Sequence, residues 1–149
     1  MDCLGECTFE NTPTYTLNGR VVSCRSLKVY DGDTLWLAAR VHGSVYKFRC
    51  RMLGYDSPEM KPPLANANRL AEIAAAVAAK GFLENALAGR RLRVEFFEYD
   101  KYGRPLVVLW AAPAGWRCLL PWRYVNVNEL MLSSGHGKPY AGGTKDSFA

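Results

Sequence analysis

The chain has 149 residues, enough for one ordinary domain with its own core and too few to suggest two. Nineteen Lys and Arg against fourteen Asp and Glu leave a formal net charge of +5, which favours a polyanionic partner and which a solubility surplus would equally produce. No stretch approaches the ~20 apolar residues of a membrane span, and the beginning, with Asp2 and Glu6, does not resemble a signal peptide; a soluble intracellular protein without membrane contact is expected.

Residues 1 to 19 are polar and rich in Pro, Thr and Asn, as either a loose arm or an addition to a sheet edge. β-Branched and apolar residues then recur over 21–30 and 34–41, with Asp31-Gly32 between them as a turn signal. His42-Gly43-Ser44 offers the next turn. From Val45 to Leu53 the pattern alternates, Phe48, Cys50 and Met52 on one face and Lys47, Arg49 and Arg51 on the other. Residues 64–88 are rich in Ala and Leu and free of proline, a helix despite Gly81, with Gly89 where a C-terminal cap is wanted. Residues 91–99 and 105–110 read as a strand pair joined by Asp100-Lys101-Tyr102-Gly103-Arg104, and residues 126–134 as a second helix capped by Asn126 and stopped by Gly135. Three strands, a helix, two strands and a helix make an α+β chain: a small antiparallel barrel closed by helices.

The five cysteines, Cys3, Cys7, Cys24, Cys50 and Cys118, are an odd number with no metal-type repeat. Cys50 and Cys118 sit among apolar neighbours as small core residues do, so reduced thiols are expected. A metal or disulfide shared by Cys3, Cys7 and Cys24 is the weaker alternative.

Antiparallel pairing of the second and third strands returns the chain to its starting end, which brings Asp33 near Asp56. Unpaired, two such carboxylates would repel and raise each other's pKa; a hard divalent cation such as Ca²⁺ or Mg²⁺ relieves this with oxygen ligands. The plainer alternative is that Asp31-Gly32-Asp33 is a turn and that Asp56 accepts backbone hydrogen bonds before Pro58. Arg51 stands beside this pair, and its planar fork of donors matches two phosphate oxygens. Cation plus guanidinium describes a phosphate pocket; an ion pair of Arg51 with Asp56 or Glu59 is the structural alternative.

Val29-Tyr30-Asp31-Gly32-Asp33-Thr34-Leu35, Arg51-Met52-Leu53-Gly54-Tyr55-Asp56-Ser57-Pro58-Glu59, Asp100-Lys101-Tyr102-Gly103-Arg104, and Val127-Asn128-Glu129-Leu130-Met131 with Gly135 together resemble the staphylococcal nuclease family, in order and at compatible spacing from about residue 21 to 140. The resemblance implies a five-stranded OB-type antiparallel barrel with helices; as a departure from the family pattern, two helices are expected here without the additional C-terminal helix of familiar members. It implies Ca²⁺-dependent hydrolysis of phosphodiesters in DNA, RNA or both, with little sequence specificity and a 3′-phosphate product, endonucleolytic rather than exonucleolytic. Mg²⁺ or another divalent ion is the alternative metal. Carried over by position, Asp33 and Asp56 would bind the metal through carboxylates and Ser57 through its carbonyl. Arg51, Arg104 and Glu59 would be the catalytic residues, and Lys101, Tyr102 and Tyr140 would contact substrate. Arg49 lies too early to be the family's arginine and reads as a groove or surface charge.

This alignment divides the chain into an N-terminal extension (1–20), a nuclease-like domain (21–141) and a tail (142–149). Residues 112–124, with Trp116, Arg117, Trp122 and Arg123, are enlarged relative to the family, either to grip nucleic acid by charge and stacking or as a hydrophobic flap or dimer contact. A monomer is expected, with a dimer the alternative. A catalytically silent binding module of the same fold competes with the enzyme reading; retention of Asp33, Arg51, Asp56, Glu59 and Arg104 together argues against it.

Overall fold

In the computed structural model, which describes residues 3–113, 115 and 123–140, the alternating segments form β1 (Val21–Val29), β2 (Thr34–Val41) and β3 (Ser44–Met52). Two strands follow the first helix, β5 (Leu92–Tyr99) and β6 (Pro105–Ala111); of three two-residue strands, β4 (Tyr55–Asp56) and β8 (Lys138–Pro139) pair with each other, and β7 (Val125–Asn126) pairs with β6 in the main sheet. The five long strands pair in the order β3-β2-β1-β5-β6, antiparallel throughout, and a parallel contact of Arg51 and Met52 with Leu106 and Val107 closes the barrel. Closure removes the sheet edges that an open five-stranded sheet would leave.

Alternation decides what fills the interior. Leu35, Leu37, Ala39 and Val41 of β2 point inward, as do Cys50 and Met52 of β3, Val94 and Phe96 of β5, and Val107 and Leu109 of β6. Leu17, ahead of β1, is also buried in this core, and the backbone of Gly19 and Arg20 hydrogen-bonds Phe96. The β2–β3 hairpin turns at His42 and Gly43, both at positive φ, as two-residue hairpin loops require.

Helix α1 (Arg69–Leu87) buries Glu72, Ala76, Ala79, Leu83, Ala86 and Leu87, a stripe at three- and four-residue spacing. The helix expected to start at residue 64 starts at 69. Asn66 carries the reason: its side-chain oxygen accepts the Asn68 N–H at 2.8 Å, a local turn that competes with helix for the backbone. Helix α2 (Val127–Ser133) begins at Asn126, whose side chain accepts the Glu129 N–H as an N-cap should. No helix among the described residues is long and apolar enough to cross a membrane. Most of the 112–124 segment, including Trp116, Arg117, Cys118 and Trp122, and the tail from residue 141 lie outside the described residues.

Candidate active site

The site begins with the turn between β1 and β2. The Asp31 carboxylate accepts the N–H groups of Asp33 and Thr34 at 3.0 and 2.8 Å, which aims Asp33 inward. Gly32 is needed for contact: a Cβ there would lie 2.6 Å from the Ser57 Cβ and 2.9 Å from the Ala79 Cβ. The Tyr55 hydroxyl donates to the Gly32 carbonyl at 2.6 Å and fixes the turn from below. Burial, followed by the charge of Asp33, pushes the Asp31 carboxyl up to about 6.

Asp33 and Asp56 are both buried, at 4% and 5% exposure, and Arg51 joins them. Its Nη2 donates to Asp56 Oδ1, and its Nη1 lies 3.7 Å from Asp33 Oδ2. Desolvation alone would make the guanidinium easier to deprotonate, but Asp33 and Asp56 outweigh it and hold its pKa above the ordinary arginine value. Asp33 Oδ2 also accepts the Ser57 N–H at 2.9 Å, so the end of β4 is tied to the first turn. The hairpin argument from sequence and the ion pair of Arg51 with Asp56 are therefore both seen in the folded chain.

The second arginine comes from the turn between β5 and β6. Asp100 organises it, accepting the N–H groups of Tyr102 and Arg104 at 2.9 Å each and the Arg104 Nε at 2.7 Å. Gly103, at φ 75°, lets the chain reverse. Arg104 Nη1 then reaches across to the Thr34 hydroxyl at 3.2 Å, and that hydroxyl lies 3.2 Å from Asp33 Oδ1, to which it donates. Thr34 itself pairs with Arg51 across β2 and β3. The two arginines thus meet at one end of the barrel through a single threonine.

The remaining expected residues surround this cluster. Tyr140 lies with its ring 5.4 Å from the Arg51 guanidinium, brought there by the β4–β8 pairing and by its N–H bond to the Gly54 carbonyl. Tyr102 is exposed on the turn, with Lys101 Nζ 5.1 Å and the Arg104 guanidinium 5.4 Å from its ring. Glu59 is exposed, follows the buried Pro58, and is held by its backbone N–H, which donates to Glu72 Oε1 at 3.3 Å. Ser57 is buried behind Asp33.

A hard cation fits what the chain offers here: an all-oxygen donor set in which two buried carboxylates face one guanidinium. Among the described residues no three His, Cys, Asp or Glu side chains converge as a complete ligand set. Asp33, Asp56 and the Ser57 carbonyl are the groups that would hold such an ion.

The sequence profile described as Staphylococcal nuclease homologue matches residues 49–146, more than half of the chain. The chain belongs to this family. The match starts just before Arg51 and takes in Asp56, Ser57, Glu59, Arg104 and Tyr140; Asp33, on the preceding hairpin, lies upstream of it. Two curated relatives, from Escherichia coli O157:H7 and Escherichia coli, each carry the description "Uncharacterized endonuclease" and are 29% identical over 119 residues. The aligned part is 80% of this chain and 58% of each relative, so the chain spans little more than half the length of these proteins.

Four residues that shape this family site escape a reading of motifs by function. Thr34 bonds both Arg104 and Asp33, Asp100 organises its turn, and Tyr55 anchors Gly32. Glu72 is buried on α1 yet accepts from Glu59 and from the Asn66 side chain. The one available signal for Glu72 is an acidic residue on the apolar stripe of its helix, since a buried carboxylate needs donors.

Proposed function

We propose that this chain is a divalent-cation-dependent nuclease that hydrolyses phosphodiester bonds of DNA, RNA or both with little sequence specificity. Ca²⁺ is the preferred ion, with Mg²⁺ the alternative, and the reading extends to internal cleavage leaving 3′-phosphates. The observation that carries it is the convergence of Arg51 and Arg104, through Thr34, on the buried pair Asp33 and Asp56. The endonuclease descriptions of the two relatives point the same way.

Hydrolysis of a phosphodiester builds negative charge on the equatorial oxygens as water attacks. Arg51 and Arg104 are positioned before substrate arrives, one by Asp33 and Asp56 and one by Asp100, so little movement brings their donors to that charge. Arg51 exchanges part of its bond with Asp56 for phosphate oxygens. Glu59 accepts the proton of the attacking water or orients it. Tyr102, Lys101 and Tyr140 hold the nucleotide by ring contact and charge. A bound divalent ion would neutralise the phosphate and stabilise the developing charge as a Lewis acid. Asp33, Asp56 and Ser57 are the residues that would hold it.

Purified protein incubated with plasmid, single-stranded DNA and RNA, each with Ca²⁺, Mg²⁺ or EDTA, tests the reading. Cleavage is expected with a divalent ion and not in EDTA. Arg51→Ala or Arg104→Ala should each lower kcat by about 10²–10³ with the fold retained. Binding without cleavage under every metal would favour the silent module instead.

A further inference from the structure

The outer face of β2 and β3 carries a second pattern that the catalytic cluster does not use. Trp36 lies directly opposite Arg49, two residues beyond the Thr34–Arg51 pair and so on the same face, and Ala38 opposite Lys47 continues the row. Lys47 Nζ stands 5.6 Å from the Trp36 ring, and the Arg49 guanidinium 5.8 Å from the exposed Tyr30 ring. Arg51, Arg49 and Lys47 are thus three cations at two-residue steps of about 6.6–6.8 Å along one strand, starting at the candidate site.

Arg49 and Lys47 of this row line an open groove, with Arg51 the next cation along the strand. β3 pairs with β6 only at Arg51 and Met52; from Arg49 back to Lys47 it runs apart from the turn that carries Tyr102 and Arg104. The gap has a volume of about 580 Å³, and its lining includes Trp36, Lys47, Arg49, Tyr102 and Arg104 but no carboxylate among the described residues. Half-buried Trp36 and 71% exposed Tyr102 offer ring surface at its two sides.

We infer that this groove binds an unpaired stretch of nucleic acid contiguous with the scissile nucleotide, its phosphates following Arg51, Arg49 and Lys47 and a base stacking on Trp36. Cations spaced along a strand and interleaved with aromatic rings match a single strand, whose bases are free to stack; a duplex keeps its bases paired and would meet only the charges. The inference rests on the nuclease reading for its register with the scissile bond and adds to that site a flanking subsite built from Trp36, Arg49 and Lys47.

The test separates the two. Anisotropy of a labelled single-stranded DNA of about 12 nucleotides, titrated in EDTA, reports binding without cleavage. Trp36→Ala should weaken it about tenfold, the loss of one stacked base, with Trp36→Phe restoring most of the affinity and the duplex of the same sequence little affected. The exposed pair Lys47→Ala/Arg49→Ala should lower the slope of log affinity against log salt by about two. With Ca²⁺, cleavage of a dinucleotide, too short to enter the groove, should be unchanged in both variants. Unchanged single-strand affinity in these variants, or a loss on duplex equal to that on the single strand for Trp36→Ala, overturns the inference. Weakened binding in the variants alongside a wild type that cleaves nothing overturns the nuclease reading and leaves the groove standing.

Discussion

Arg104 donates to the Thr34 hydroxyl at 3.2 Å, and the same hydroxyl donates to Asp33, so one small side chain spans the two halves of the candidate site. Thr34 is 1% exposed, so its hydroxyl is met by these protein groups rather than by solvent. Thr34→Val should reduce kcat by about tenfold, since Arg104 loses an acceptor that aims it, and should cost roughly 1–3 kcal/mol in stability through the unmet buried groups. Thr34→Ser should recover most of both. Turnover on an oligonucleotide and urea midpoints of the three proteins decide this; a Thr34→Val enzyme of full activity would mean that Asp100 alone aims Arg104.

Glu72 holds Glu59 by its backbone and Asn66 by its side chain, at 3.3 and 2.9 Å. Glu72→Ala should therefore lower kcat more than it raises KM, because Glu59 is displaced while the phosphate-binding arginines stay in place. Its stability should fall by about 1–3 kcal/mol as two donors lose their acceptor. Glu72→Gln keeps one acceptor oxygen and should fall between the two. Single-turnover rates with saturating substrate give the kcat effect directly, and an unaltered rate in Glu72→Ala would remove Glu72 from this role.

Acid should loosen the turn between β5 and β6 only once the pH has fallen below the ordinary carboxylate value. Burial by itself would raise the Asp100 carboxyl, but the hydrogen bonds from Arg104 and Tyr102 outweigh it and hold its pKa below the ordinary 3.8. A carboxylate depressed in the folded state stabilises fully above its unfolded pKa and loses that contribution as pH falls through its folded value. The contribution of Asp100 is thus present above 3.8 and fades below it. Denaturation midpoints measured down to the folded pKa should show a smaller decline in Asp100→Asn than in the wild type, and parallel curves would contradict the assignment.

The thiols should divide by burial. Desolvation pushes Cys24 and Cys50 up to about 12, whereas Cys3 and Cys7 are exposed. Alkylation of the native protein near pH 8, read by peptide mass spectrometry, should label Cys3 and Cys7 quickly and Cys24 and Cys50 only after unfolding, because the thiolate is the reactive form. Rapid labelling of Cys50 would contradict its place in the barrel core.

Much of this architecture is legible in the sequence because it is written locally. Alternation in Val45 to Leu53 separates Cys50 and Met52 from Arg49 and Arg51, and Asn126 with Gly135 brackets the second helix; the folded chain keeps both arrangements. Asp33 and Asp56 were also legible as neighbours, since a hairpin fixes which of its ends meet. The start of α1 was less so, as Asn66 offers the backbone a rival bond that helix propensity does not register.

By itself, then, the sequence determined the five long strands, the two helices, the order of the charged turns and the nearness of Asp33 to Asp56, because period, turn chemistry and hairpin geometry act between near neighbours. Only the tertiary structure decided that Thr34 joins Arg104 to Asp33, that Glu72 on a helix supports Glu59, and that a two-residue strand pair sets Tyr140 beside Arg51. It also set Arg49, a groove or surface charge when read along the chain, in the middle of a basic row opposite Trp36. These contacts join residues far apart in the chain, and barrel closure and helix packing, which no local pattern specifies, bring them within bonding distance.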